Sequence, residues 1–315
     1  MRHIFIVNPH SGPKDITETL KAQLDTLKSS DPVEMYITNG PGDATREVRR
    51  RCGETQEELR FYACGGDGTL NEVANGAAGY AHAVIGSYPC GSGNDFVKYF
   101  GGKRFFLDLD AQLNGKAVPI DLIRVNDRYS INVVNVGFEA KAAARMVIFR
   151  RFPLLRGQRS YYAAVVATLM DGMKNRCRIK ADGEVILDGP MLLSSVANGE
   201  YVGGSFRCAP RASVDDGWLE MLMVSPISIT RFAKMIGMYQ RGEHLDAPEM
   251  KDCMHYWRVR EMEVEAEKNF MICLDGEIVE GNHFVVSIVP KAIRFIVPEG
   301  AEHTGKGVDI EAEKA

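Results

Sequence analysis

The sequence predicts an α/β half followed by an all-β half, and three observations carry that expectation. Over the first third, short apolar runs at 2–8, 33–38, 59–64 and 83–87 alternate with segments of helical spacing. That is the pattern of a parallel sheet covered by helices. After about residue 120 short alternating runs take over, at 118–125, 128–136, 177–187, 191–197, 217–224, 255–266, 269–273 and 283–289. They predict an antiparallel sheet or sandwich. Each of the first four runs ends in a polar or glycine-rich turn. Ligands of parallel α/β sheets sit beyond the carboxyl ends of the strands, so four such turns are expected on one rim.

The elements follow in order. The opening run Ile4-Phe5-Ile6-Val7 carries one basic residue before it and ends at Asn8-Pro9. It predicts a buried strand, not a signal peptide. Ile16, Leu20, Leu24 and Leu27 recur at helical spacing, with Asp15 and Glu18 marking a helix start. Pro41-Gly42 makes a turn and Asp43 caps the next helix, with Ala44 and Val48 inward and Arg46, Arg49, Arg50 and Arg51 on a solvated face. Leu59 to Cys64 is a strand, and Leu70, Val73, Ala74 and Ala77 are the inner face of the helix after it. In the second half, Asn126-Asp127, Asp182-Gly183, Asp188-Gly189 and Asp275-Gly276 read as turns, and helical insertions fall near 138–173 and 228–243. The tail after Pro298 is polar and aperiodic, which predicts disorder over 299–315.

The chain has 315 residues and a net charge of -4. The length suits about two domains at ~150 residues each. The charge gives no general reason to expect a nucleic-acid partner. No apolar stretch is long enough to span a bilayer. The seven cysteines are scattered and odd in number, which predicts reduced thiols in a cytoplasmic protein. The histidines form no metal-ligand spacing.

The chemistry concentrates in Cys64-Gly65-Gly66-Asp67-Gly68-Thr69-Leu70-Asn71. Glycines let backbone N–H groups approach an anion, and a helix start adds about half a positive charge, so strand, glycine turn and helix together make a phosphate site. Asp67 would repel a phosphate held alone; it makes sense if Mg²⁺ comes with the phosphate. Asn8-Pro9-His10-Ser11-Gly12 could equally be a plain loop or a phosphate cradle. Thr38 to Asp43 needs no more than a turn and a cap. Gly91-Ser92-Gly93-Asn94-Asp95 joins turn residues to a second acid before an apolar helix. Ser213-Val214-Asp215-Asp216-Gly217-Trp218 reads as a solvated turn, with an oxygen-ligand metal site as the sharper alternative. Asp275-Gly276-Glu277 cannot be told from the chain's other Asp-Gly turns by local pattern. The segment 146–159 mixes large apolar residues with four arginines, either a core edge or a surface for an anionic membrane.

Taken in order, Asn8-Pro9 with Ser11-Gly12, Gly65 to Asn71, Gly91-x-Gly93-Asn94-Asp95-Phe96, Asp215-Asp216-Gly217-x-Leu219 and Leu274-Asp275-Gly276-Glu277 resemble the diacylglycerol kinase catalytic-domain family, which includes soluble bacterial lipid kinases and the sphingosine kinases. The resemblance runs from Ile4 to about Pro298. It implies a Rossmann-like, NAD kinase/phosphofructokinase-like ATP-binding domain over 1–120, a β-sandwich lipid-substrate domain over 121–290, and a last strand at 291–298 that returns to the first domain. It implies ATP and Mg²⁺ as cofactors, nucleotide contacts at Asn8, Pro9, His10, Ser11, Gly12, Thr38, Gly65, Gly66, Asp67, Gly68, Thr69, Leu70, Asn71, Ser92 and Asp95, and a catalytic base at Glu277. Asp275, Asp67 and Asp95 match acids linked to metal and nucleotide, and Ser213, Asp216 and Trp218 match a structural metal. Homodimers are common in the family. Two departures stand out: Pro13 removes a possible phosphate donor, and Ser205 follows Gly203-Gly204 where relatives carry a third glycine.

The expected activity is transfer of the γ-phosphate of ATP to a lipid hydroxyl, diacylglycerol first, in a cytoplasmic protein that touches the membrane peripherally through 146–159. Phosphatidylglycerol, a sphingoid base or an undecaprenyl-type alcohol are alternative acceptors. An NAD kinase and a non-enzymatic lipid or nucleotide sensor are the rival readings.

Overall fold

The computed structural model describes residues 1–149, 152, 158–170, 172, 174–303, 305 and 307–310. The first half alternates as the sequence predicts: β1 (Arg2–Val7), α1 (Thr17–Thr26), β2 (Val33–Ile37), α2 (Asp43–Glu54), β3 (Leu59–Gly65), α3 (Asp67–Ala77) and β4 (Ala83–Pro89). β1 pairs in parallel with β2 and β3, and β3 with β4. Ile4 to Val7 are all buried, because helices cover both faces of a parallel sheet. Asp15 accepts the Thr17 amide at 2.9 Å and so starts α1. Leu70, Val73, Ala74 and Ala77 are the buried face of α3. Three arginines of α2 are paired with acids: Arg50 and Arg51 both reach Glu47, and Arg46 reaches Asp43; Arg49 donates to the Asn75 carbonyl.

A short α4 (Leu109–Leu113) leads into the strand-rich half: β5 (Lys116–Val125), β6 (Arg128–Ser130), β7 (Val133–Gly137), α5 (Phe138–Phe149), α6 (Gln158–Met170), β8 (Asn175–Ala181), β9 (Glu184–Met191), β10 (Leu193–Ala197), β11 (Leu219–Val224), α7 (Ile229–Arg241), β12 (Met254–Val259), β13 (Glu261–Leu274) and β14 (Glu277–Val297). The pairings β7–β10, β10–β11, β11–β12, β13–β14 and β8–β9 are antiparallel. Ser228 caps α7 through the Arg231 amide, and Gly242 ends it at φ 76°. The residues joining α5 to α6, 150, 151 and 153–157, lie outside the described residues, and with them most of the basic part of the 146–159 segment.

Several elements differ from the sequence reading. The run 128–136 is two strands, broken at 131–132, where backbone amides turn onto the Asp275 carboxylate. Asp188-Gly189 is not a turn: it lies within β9, opposite Arg178 and Cys177. Asp182-Gly183 and Asp275-Gly276 are turns, each with positive φ at both residues, which suits the twist of a hairpin. The segments 283–289 and 291–298 form one strand, β14. It pairs with β13 in its first part, with β5 further on, and with β4 in parallel at Arg294 and Phe295. The strand bends at Lys291 (φ 51°), whose amide is held at 2.7 Å by the buried Asp121.

The described residues after Pro298, expected to be disordered, are not free of the core; 304, 306 and 311–315 of that tail lie outside the described residues. His303 stacks on Tyr99 at 3.9 Å and bonds to Glu200 at 2.9 Å, and the Val308 amide donates to the Tyr201 hydroxyl at 2.8 Å. These contacts use a ring and backbone groups, for which apolar periodicity gives no signal.

Candidate active site

The carboxyl ends of β1 to β4 bring the four predicted turns together. Asn8 donates to the Thr69 hydroxyl at 3.1 Å and accepts the His10 amide at 3.0 Å. The Gly42 amide donates to Glu72 of α3 at 2.9 Å, which ties the Thr38–Asp43 turn to the same rim. The glycines are required by closeness. A Cβ on Gly12 would lie 2.1 Å from the Cys90 carbonyl oxygen, and one on Gly91 would lie 2.3 Å from Gly66 Cα. Gly65 would strike Thr69. By contrast Gly68, at the exposed start of α3, has nothing within 4 Å. The three backbones interlock, and the open space above them is at the α3 N-terminus. Leu70 contributes backbone only: its side chain is core and its amide is taken by Gly66. Ser92 and His10 are exposed on the rim.

Asp67 and Asp95 converge beside Gly93. The Asp95 amide donates to Asp67 Oδ1 at 2.5 Å, while a Cβ on Gly93 would lie 2.7 Å from Asp67 Oδ2. Burial, then the Asp95 charge, push the Asp67 carboxyl up to about 7; Lys98 opposes the shift, and Asp275 adds to it from the other half. Asp95 itself is closed. Both its oxygens accept the Gly204 amide at 3.0 Å, and Oδ1 accepts Lys98 Nζ at 2.6 Å. Lys98 also reaches the Gly93 and Gly204 carbonyls at 2.8 Å each. The sequence reading missed Lys98. The i, i+3 spacing from Asp95 was the available signal, weak because such pairs are common on solvated helices.

Across the cleft, Asp275 sits at the β13–β14 turn with φ 47°. Its Oδ2 accepts Ser130 Oγ at 2.7 Å and the amides of Ile131 at 2.7 Å and Asn132 at 3.2 Å; Oδ1 accepts the Val133 amide at 2.9 Å. Burial raises its pKa, and these donors pull it back. Asp275 is thus fully engaged in fixing the turn. Glu277 is two residues on and open: its side chain is 62% exposed, with Arg128 at 3.3 Å.

A divalent cation fits Asp67 best. Its Oδ2 has no hydrogen bond among the described residues, and its raised pKa marks an uncompensated negative site. Asp95 and Asp275 have their oxygens occupied. Of the set Ser213, Asp216 and Trp218, the Asp216 carboxylate accepts the Trp218 amide at 3.0 Å and is paired with Arg258. Arg258 and Arg260 both lie over the Trp218 ring, 5.4 and 4.7 Å from its centroid. The residues there do not fit a dication in this arrangement, because a guanidinium already neutralises the acid. This group stands beside Asp121, at the bend of β14, and not in the cleft. Among the described residues the one cluster with metal-ligand spacing is Glu263, Glu265 and His283 on the strand surface, and Lys180 already pairs with its acids.

A glycine-lined helix start near a carboxylate turn has the donors and acids that a phosphotransferase needs. Residues 2–125 match the family described as diacylglycerol kinase catalytic domain, and residues 132–297 match the YegS C-terminal NAD kinase beta sandwich-like domain. The chain belongs to this family and is a kinase. It is 28% identical over 277 residues to the diacylglycerol kinase of Bacillus subtilis (strain 168), covering 87% of this chain and 88% of that protein. It is also 28% identical over 295 residues to a Cronobacter sakazakii (strain ATCC BAA-894) protein named "Probable lipid kinase YegS-like", covering 91% and 94%. The fold is similar to that of a diacylglycerol kinase structure from Bacillus anthracis str. Sterne, at TM-score 0.68 and 20% identity over 94% of this chain and 96% of that one.

Proposed function

We propose that this kinase moves the γ-phosphoryl group of ATP to the hydroxyl of a membrane lipid, with diacylglycerol the first acceptor to try. The observation that carries the reading is the approach of two turns: Asn75 of α3, the helix that starts at Asp67, donates to the Tyr129 carbonyl at 2.8 Å and accepts the Tyr129 amide at 2.9 Å, next to Ser130, which holds Asp275. Phosphoryl transfer needs position and charge compensation more than covalent help from the protein. The interlocked turns at Gly12, Gly66 and Gly91 hold the nucleotide phosphates at the α3 N-terminus. Asp67 holds the cation, which when bound neutralises phosphate oxygens. Glu277, open to the cleft, accepts the proton of the attacking hydroxyl, and Asp275 sets where Glu277 stands.

The proposed division is a nucleotide half, 1–120 with 291–298, and an acceptor half, 121–290. Lipid access is proposed through the α5–α6 hairpin. Val147, Ile148, Phe152, Val166 and Met170 are all exposed there, and such side chains suit the interface of a bilayer. Among the described residues no helix is long and apolar enough to cross one. The test is labelled ATP with a panel of lipids in mixed micelles, and NAD as the soluble control. Phosphorylated lipid supports the reading; phosphorylated NAD, or no product at all, overturns it.

A further inference from the structure

Glu277 stands beside a cation to which the phosphoryl transfer above gives no task. Arg128 Nη1 lies 3.3 Å from Glu277 Oε1, with side chains 50% and 62% exposed. The arginine opens β6, and Ser130 closes that strand and donates to Asp275 at 2.7 Å. Arg128 and Ser130 are two residues apart, so they lie on the same side of the strand. Asp275 and Glu277 are also two residues apart. The two pairs match: the hydroxyl meets the buried acid, and the guanidinium meets the open one.

The strand that carries the arginine is pinned without it. The Tyr129 ring packs against the core of the α/β half, and its amide and carbonyl are both held by Asn75 of α3, at 2.9 and 2.8 Å. At the turn before β6, the Asn126 amide donates to the Val285 carbonyl, and the Val285 amide donates to Asn126 Oδ1, both at 3.0 Å. The β5–β6 hairpin is therefore fixed to α3, to β14 and to the Asp275 turn by other groups. Exposed ion pairs add little to stability, so the Arg128–Glu277 pair is not what holds the hairpin.

Its effect falls on Glu277. An exposed glutamate has several rotamers open to it. A general base must lie within hydrogen-bond reach of the proton that it takes. The guanidinium holds Oε1, while Oε2 has no hydrogen bond among the described residues. Fixing one oxygen narrows where the other can stand.

We infer that Arg128 is a positioning residue for the reaction: its guanidinium aims the Glu277 carboxylate at the acceptor hydroxyl. In that step the hydroxyl O–H bond breaks and its proton passes to Glu277 Oε2. The hydroxyl oxygen bonds to the γ-phosphorus as the bond to the β–γ bridging oxygen breaks, and ADP leaves. Arg128 neither takes nor gives a proton. The inference rests on the reading of Glu277 as the base and deepens it.

The experiment uses the full chain, labelled ATP and mixed micelles of diacylglycerol, phosphatidylglycerol or a sphingoid base. Arg128→Met removes the charge and keeps most of the stem. It should lower kcat about tenfold or more on the lipid that reacts fastest, since a small misplacement of a reacting group is costly. KM for ATP and for that lipid should stay within about twofold, the sign of an interaction that serves the transition state, and the melting temperature should hold. Arg128→Lys should restore most of the rate, because the contact uses one nitrogen and no bidentate fork. Glu277→Gln is the reference. Adding Arg128→Met to it should cost less than about twofold more, because residues that act as one unit are not additive. A full further loss in the double variant shows Arg128 acting without Glu277 and overturns the inference. A normal kcat in Arg128→Met, or no gain from lysine, overturns it too. Near-normal turnover in Glu277→Gln, or a wild type that phosphorylates none of the three lipids, overturns the underlying reading and the inference with it. An inactive Glu277→Gln beside a normal Arg128→Met overturns the inference alone.

Discussion

Lys98 Nζ lies 2.6 Å from Asp95 Oδ1 with both side chains almost wholly buried, and the same pair grips Gly204 by its amide and its carbonyl. One ion pair thus fastens the Gly91–Asp95 turn of the α/β half to a loop of the strand-rich half. Removing one member strands the other charge in the interior, at a cost of about 3–5 kcal/mol. Lys98→Met should lower the unfolding free energy by about that amount in urea denaturation. The double variant Asp95→Asn with Lys98→Met should recover much of the loss, because no charge is left unpaired. A cost below about 1 kcal/mol for Lys98→Met would mean that the pair behaves as a surface bridge.

The glycine rim yields a matched pair of substitutions. Gly91→Ala forces a Cβ to 2.3 Å from Gly66 Cα, where backbone meets backbone and neither can swing away. It should destabilise the fold and abolish ATP binding together. Gly68→Ala meets nothing within 4 Å and sits in the first turn of α3. Its melting temperature should hold or rise slightly, since alanine favours a helix over glycine by up to about 1 kcal/mol. Its ATP affinity should fall by about tenfold or more if the space above α3 belongs to phosphate. Isothermal titration beside thermal melts separates the two effects; unchanged affinity in Gly68→Ala would move the phosphates elsewhere.

Asp67 makes stability depend on pH in a stated direction. Its pKa is raised from 3.8 to about 7, first by burial and then by Asp95. The folded chain therefore holds this proton more tightly than the unfolded chain does. The contribution is full below about pH 4 and is lost as pH rises toward 7, at up to about 1.4 kcal/mol for each pH unit crossed. Asp67→Asn keeps an oxygen for the Asp95 amide and removes the charge. Calorimetry should find it level with the wild type near pH 4 and more stable at pH 8, and without turnover. A wild type whose advantage over Asp67→Asn grows with pH would reverse the assignment.

How far the sequence reached follows from what kind of signal each feature leaves. The strands of the first half were legible because a doubly covered strand is continuously apolar, as Ile4 to Val7 are. The rim was legible because Gly65, Gly66 and Gly91 leave compositional marks. Lys98, Asp121 and Arg128 were not, because each acts through a partner distant in sequence: Gly204, Lys291 and Glu277. The break at 131–132 was invisible for the same reason, since Asp275, far along the chain, bends those amides inward. The metal implied at Asp216 came from the family resemblance, whereas the local pattern read as a solvated turn; Arg258, which meets Asp216, comes from β12 and left no local sign.

Asp275 and Glu277 are two residues apart, and the proposed mechanism gives them separable tasks. Asp275 serves four donors, three of them backbone amides. In Asp275→Asn one side-chain oxygen becomes an NH₂ group, which must face an amide or a hydroxyl that it cannot accept from. Hydrogen bonds to a charged group are worth about 1.5–3 kcal/mol each, so stability and turnover should fall together. Glu277 is 62% exposed, and its ion-pair partner among the described residues is Arg128, itself 50% exposed. Glu277→Gln should leave thermal stability and ATP affinity unchanged and cut turnover by about 10²–10⁴-fold, the usual worth of a general base. Adding Mg²⁺ in excess should not restore it, because the lost function is proton acceptance and not cation binding. Glu277→Gln with near-normal turnover would shift the proton to another acceptor, and Asp67 would then be the carboxylate to test, since its raised pKa suits that task near neutral pH.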